Sequence, residues 1–114
     1  MTPYSNGVCF PSVVFVELPA FTRRLFDLLD DESYLDLQIQ LASRPEAGKL
    51  IPGGKGLRKV RWAAKGHGKR GGARVIYFWR TTQGQIILAR LYAKNEREDL
   101  SLAELRTVIR EIGL

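Results

Sequence analysis

The sequence predicts an α+β domain in which a small, mainly antiparallel sheet packs against two N-terminal helices and a C-terminal helix. Three observations predict it. Apolar residues recur at three- and four-residue steps in two stretches before Pro45 and in one after Ser101. Runs rich in β-branched and aromatic residues fill the region between Leu57 and Tyr92, with turn residues between them. No repeat, linker or low-complexity block divides the chain, so these pieces must share a core.

Taken in order, residues 1–11 carry Pro3, Asn6, Gly7 and Pro11 and read as an irregular leader, open to disorder, ahead of a single domain at 12–114. Ser12 to Glu17 is valine-rich and bounded by Pro11 and Pro19, which suits a short strand. From Ala20 to Leu29 the set Phe21, Leu25, Leu28 and Leu29 predicts an amphipathic helix, with Pro19 where a helix start tolerates it. Asp30 and Asp31 then break and cap, and Leu35, Ile39 and Ala42 line a second helix that Pro45 ends.

Gly48 to Gly56 is a loop, and Leu57 to Trp62 alternates as a strand with a polar face. Ala64 to Gly72 mixes glycine with basic residues and His67, which predicts an exposed connection. Ala73 to Arg80 and Gln85 to Tyr92 form two adjacent antiparallel strands around a turn at Thr81 to Gly84. Ser101 and Glu104 have capping-box spacing, and Leu102, Leu105, Ile109 and Ile112 mark the buried face of a final helix.

Composition narrows function. With 45% hydrophobic and 26% charged residues among 114, the chain can bury one core without disulfide or metal support. Cys9 is alone and His67 is the single histidine, so no Cys and His set exists for structural zinc, and a reducing, cytoplasmic setting is expected. Val13 to Val16 is too short for a signal-peptide core or a membrane span.

The net charge of +6 is unevenly spread. Lys49 to Arg80 holds ten of the 18 Lys and Arg and no Asp or Glu, leaving eight basic against twelve acidic residues elsewhere. The segment is therefore +10 and the remainder −4. A charge run is often a solvated face, but seven of the eleven glycines fall in the same segment, where backbone N–H groups can approach phosphate oxygens. Trp62, Tyr77, Trp79 and Tyr92 lie in or beside these strands and can either stack on bases or fill the core, which is the expected place of Phe78. RNA is the expected partner.

No Walker loop, Ser-His-Asp set, metal cluster or paired-carboxylate pattern stands out, so no metal or other cofactor is expected. RNA cleavage stays chemically open, because the 2′-hydroxyl is an internal nucleophile. An enzyme needs to align it, move two protons and stabilise a charged phosphorane.

Gly56-Leu57-Arg58-Lys59-Val60-Arg61, then Gly68 to Tyr77, then Tyr92-Ala93-Lys94-Asn95-Glu96 together resemble the RelE/HigB toxins of bacterial toxin-antitoxin systems. The resemblance runs from Val13 to Ile112, and the spacing of the three blocks makes it specific. It implies a microbial-ribonuclease-like fold and a ribosome-dependent mRNA endonuclease, or mRNA interferase. Such toxins inhibit translation without a metal and are held inactive by a cognate antitoxin, in the HigB branch commonly a helix-turn-helix protein.

By the same resemblance Arg74 matches the phosphate-stabilising arginine, and Arg61, Lys65, His67 and Lys69 occupy the strand and loop where the family places basic groups for proton transfer and substrate grip. Arg58 and Arg70 join Arg61, Lys65 and Lys69 as RNA-binding candidates. Lys94 and Asn95 match the motif after the last strand. Asn95 stands where the RelE branch has an arginine, and Ser101 lies near its functional tyrosine. That leaves Tyr92 and His67 as candidates for the missing proton-transfer group, with Glu96, Glu98 and Asp99 as loop anchors or caps. Two other readings stay open: a non-catalytic RNA- or ribosome-binding module that blocks translation by occupancy, and a regulatory partner whose basic face binds an acidic antitoxin.

Overall fold

Branched and aromatic residues build five strands that join in one sheet in the computed structural model, which describes residues 13–64 and 72–114. They are β1 (Val14–Glu17), β2 (Lys49–Leu50), β3 (Arg58–Trp62), β4 (Ala73–Arg80) and β5 (Gln85–Ala93). Three helices, α1 (Pro19–Leu28), α2 (Asp31–Ser43) and α3 (Leu102–Ile112), complete an α+β architecture. The expected order of elements is present, with the two-residue β2 as an addition.

The sheet order is β1-β5-β4-β3-β2. β1 runs parallel to β5, and the other neighbours are antiparallel. A short 3₁₀ turn at Thr81–Gln83, closed by left-handed Gly84, links β4 to β5. None of the described helices is long and apolar enough to cross a membrane. The leader and most of the glycine-rich connection lie outside the described residues.

The two faces of the sheet carry separate cores. On one, Phe21, Leu25 and Leu29 with Leu37 and Leu41 of α2 pack on Val75, Tyr77 and Leu88. On the other, Leu105, Val108 and Ile112 of α3 pack on Ile76, Ile87 and Ala89. A bulge in β5 makes this possible: Ile76 faces Arg90 and Tyr77 faces Leu88, so Ala89 is an extra residue. Leu88 and Leu91, three apart, can then both join the first core.

Two expected helix faces are corrected. In α2 the buried residues are Leu37, Gln38 and Leu41, while Ile39 is exposed and Leu35 and Ala42 are half-buried. Trp62 selects this rotation, because its indole N–H reaches Ser33 O and Oγ, both at 3.1 Å. In α3 Val108 replaces Ile109 in the fully buried set, and Leu102 is 63% exposed because it begins the helix beside a groove rather than over the sheet.

The caps follow the sequence. Asp30 accepts from Ser33 N–H at 2.7 Å and Ser101 Oγ accepts from Glu104 N–H at 3.1 Å. Gly113, at φ 85°, closes α3 with its N–H directed to Ile109 and Arg110 carbonyls.

Candidate functional site

Strand alternation sorts the basic residues by face. Val60 and Trp62 pair with Val75 and Ala73 on the α1 and α2 side, and Arg58 shares that side opposite Tyr77. Lys59 and Arg61 point to the α3 side, opposite Ile76 and Arg74. Arg74 in turn pairs with Tyr92 on β5. One row across the sheet is therefore Arg61, Arg74 and Tyr92.

This row conflicts with ordinary folding preferences. Like charges directly opposite on antiparallel strands repel, yet Arg61 and Arg74 are partners. Arg74 is only 1% exposed, the most deeply buried charge among the described residues. Its nearest counter-charge is Glu98 Oε1, 3.4 Å from Nη2, and its Nη1 reaches Ala73 O at 3.4 Å. Nε is buried with no hydrogen-bond partner among the described residues. A buried guanidinium so weakly satisfied costs stability and leaves positive charge poorly compensated beside exposed Arg61.

Tyr92 is buried beside Arg74 and donates its hydroxyl to Glu98 O at 3.0 Å. Burial, reinforced by the Asp99 carboxylate, pushes its hydroxyl up to about 12, so it remains protonated at neutral pH. The Arg97 guanidinium lies 4.6 Å from the centre of its ring. The remaining candidate rings serve elsewhere: Trp62 and Tyr77 belong to the first core, Trp79 packs against it and Phe78 packs against the second. Tyr77 also donates to Pro45 O at 2.7 Å and accepts from Gly48 N–H at 2.9 Å.

The segment after β5 folds over this row. Ala93 N–H donates to Glu96 Oε1 at 2.8 Å, and Arg24 of α1 holds the same carboxylate at 3.0 Å, so Glu96 is a loop anchor as expected. Those bonds bring the Glu96 carboxyl below the usual range, the Arg24 hydrogen bond contributing most. Asp99 pairs with Lys59 from β3. Lys94 and Asn95 are exposed in the turn, with Lys94 N–H bonded to Gly72 O at 2.9 Å. A groove of about 350 Å³ adjoins the row, lined by Ile51, Pro52, Lys59, Tyr92, Asp99 and Leu102 among others.

The structure thus brings Arg61, Arg74 and Tyr92 together and sets Lys94 and Asn95 just beyond β5. It does not bring Arg58 to them: that guanidinium donates to Gly48 O at 2.8 Å and Glu46 O at 3.3 Å on the opposite face. Lys65, His67, Lys69 and Arg70 lie outside the described residues. Part of the glycine enrichment also has a local cause, since Gly56 takes φ 104° and a Cβ there would meet the Phe78 ring at 2.8 Å.

Glu98 was legible only as a loop residue, and Lys59 only as one more basic side chain, because their meeting with Arg74 and Asp99 depends on where the loop crosses the sheet. Compared with known protein families, the chain matches no family model.

Proposed function

We propose that the chain is a metal-independent endoribonuclease with a RelE-like microbial ribonuclease fold, acting on message at the ribosome as the toxin of a toxin-antitoxin pair. The observation that carries this reading is Arg74, a buried cation whose Nε has no hydrogen-bond partner among the described residues, directly opposite a second arginine. Exposed Arg61 would hold the scissile phosphate, and buried Arg74 beside it would add positive charge that stabilises the phosphorane formed by 2′-hydroxyl attack. Exposed Lys94 and Asn95 sit where they can grip the flanking strand. The resemblance of the three sequence blocks supplies the ribosome, and a helix-turn-helix antitoxin, as partners.

The test is to incubate purified chain with ribosomes carrying a defined message and map new RNA ends. Wild type is expected to cut and Arg74→Ala to leave the message intact while still co-sedimenting with ribosomes. Equal cutting by both would remove Arg74 from the site, and no cutting by wild type would defeat the enzymatic assignment. The occupancy reading is favoured by one observation, the commitment of the Tyr92 hydroxyl to a backbone carbonyl. It predicts co-sedimentation and translation arrest with no new ends.

A further inference from the structure

We infer that Glu98 is the general base of this site, a role that rests on the endoribonuclease reading and extends it. Four carboxylates lie near the Arg61, Arg74 and Tyr92 row, and three are committed elsewhere. Glu96 holds Ala93 N–H and Arg24. Asp99 is paired with Lys59. Glu104 takes two nitrogens of Arg97 and one of Arg90.

Glu98 differs from all three. Its side chain is 53% exposed, and its single carboxylate contact among the described residues is the 3.4 Å approach to Arg74 Nη2. Its backbone, by contrast, is pinned, because its carbonyl accepts from Tyr92 Oη at 3.0 Å and from Lys59 Nζ at 3.5 Å. A fixed main chain carrying a solvent-accessible carboxylate beside the Arg61 and Arg74 pair proposed to face phosphate is the geometry a base needs, since the 2′-hydroxyl is adjacent to the phosphate it attacks. Among the described residues, Arg74, Tyr92, Lys59, Asp99 and Arg97 are the charged or titratable groups near it.

In the step, the Glu98 carboxylate takes the 2′-hydroxyl proton as the 2′-oxygen bonds to phosphorus. The bond from phosphorus to the 5′-oxygen breaks, and that oxygen takes a proton from solvent water. The products are a 2′,3′-cyclic phosphate and a 5′-hydroxyl. Tyr92 touches Glu98 rather than substrate in this arrangement and is a positioning residue, in place of the proton-transfer role raised for it from sequence.

The experiment compares wild type, Glu98→Gln, Glu98→Asp and Tyr92→Phe on ribosomes programmed with one defined message, measuring kcat, KM and co-sedimentation. Glu98→Gln is expected to lower kcat about 100-fold or more with KM and co-sedimentation unchanged. Glu98→Asp is expected to recover part of the loss, and Tyr92→Phe to lower kcat more than it alters KM. Unchanged kcat in Glu98→Gln overturns the inference while leaving the endoribonuclease reading standing. Faster cutting or tighter binding by that variant also overturns it, by showing that the carboxylate competes with phosphate for Arg74. A wild type that makes no ends defeats both.

Discussion

Two arginines lie buried on the α3 side of the sheet and are held in opposite ways. Arg90 is 8% exposed, with Nε 3.3 Å from Glu104, Nη1 and Nη2 3.0 and 3.2 Å from the two oxygens of Glu111, and Nη1 2.8 Å from Ala89 O. Arg74 is more deeply buried and has one carboxylate contact, at 3.4 Å, with its Nε unpartnered among the described residues. Arg90 fastens α3 to β5, and its burial is offset by bidentate pairing. Arg74 has no such bidentate pairing, so its burial costs stability that its described contacts do not return.

The largest expected effect separates the two. Arg74→Met should reduce RNA cleavage about 10²- to 10³-fold while leaving thermal stability equal or higher, because it removes a poorly compensated buried charge. A fall in Tm matching that of Arg90→Met would break the comparison. Arg90→Met should do the reverse, costing about 2 kcal/mol in urea unfolding with the folded fraction still active. That is less than the loss of a fully buried pair, since Glu104 and Glu111 retain access to solvent.

The Arg90 cluster should also weaken in acid. Burial pushes the Glu104 carboxyl up, but hydrogen bonds and charges from Arg97 and Arg90 together outweigh it and bring it below 4.5. A carboxyl with a lowered native value stabilises the fold above its unfolded value, and that contribution disappears as pH falls through the native one. The gap in urea midpoint between wild type and Glu104→Gln should therefore be present at neutral pH and shrink below 4.5. A gap that persists in acid would mean packing, not charge, holds this part of α3. The smallest effect is expected for Ser101→Ala, about 1 kcal/mol from the lost cap on Glu104 N–H, with cleavage unchanged.

Much of the fold was legible where local preference and packing agree. Val75, Ile76 and Tyr77 had to be strand, and Ser101 had to cap a helix. The helix faces were harder because two stripes overlap in α2: Leu35, Ile39 and Ala42 have helical spacing, but so do Tyr34, Leu37 and Leu41. Only the sheet decides between them, through contacts such as Trp62 with Ser33.

The candidate site divides in the same way. Arg74 and Tyr92 could be chosen from their strands, but their pairing as direct neighbours depends on the β5 bulge, which no periodicity reveals. Arg58 fell on the opposite face from Arg74 by one step of strand alternation. Arg90 and Glu111 carried no motif, because their contact arises only when α3 docks.

The parallel pairing of β1 with β5 constrains how the chain comes into being. β1, α1 and α2 leave the ribosome early, yet Val14 to Glu17 find their neighbours at Gln85 to Leu88. Closing this pairing joins segments far apart in the chain, a non-local contact of the kind that slows folding. The row of Arg61, Arg74 and Tyr92 is complete only with β5 in place, and Tyr92 is covered only when α3 docks in the same core. The row's three strands come from segments that meet only when most of the chain has been made.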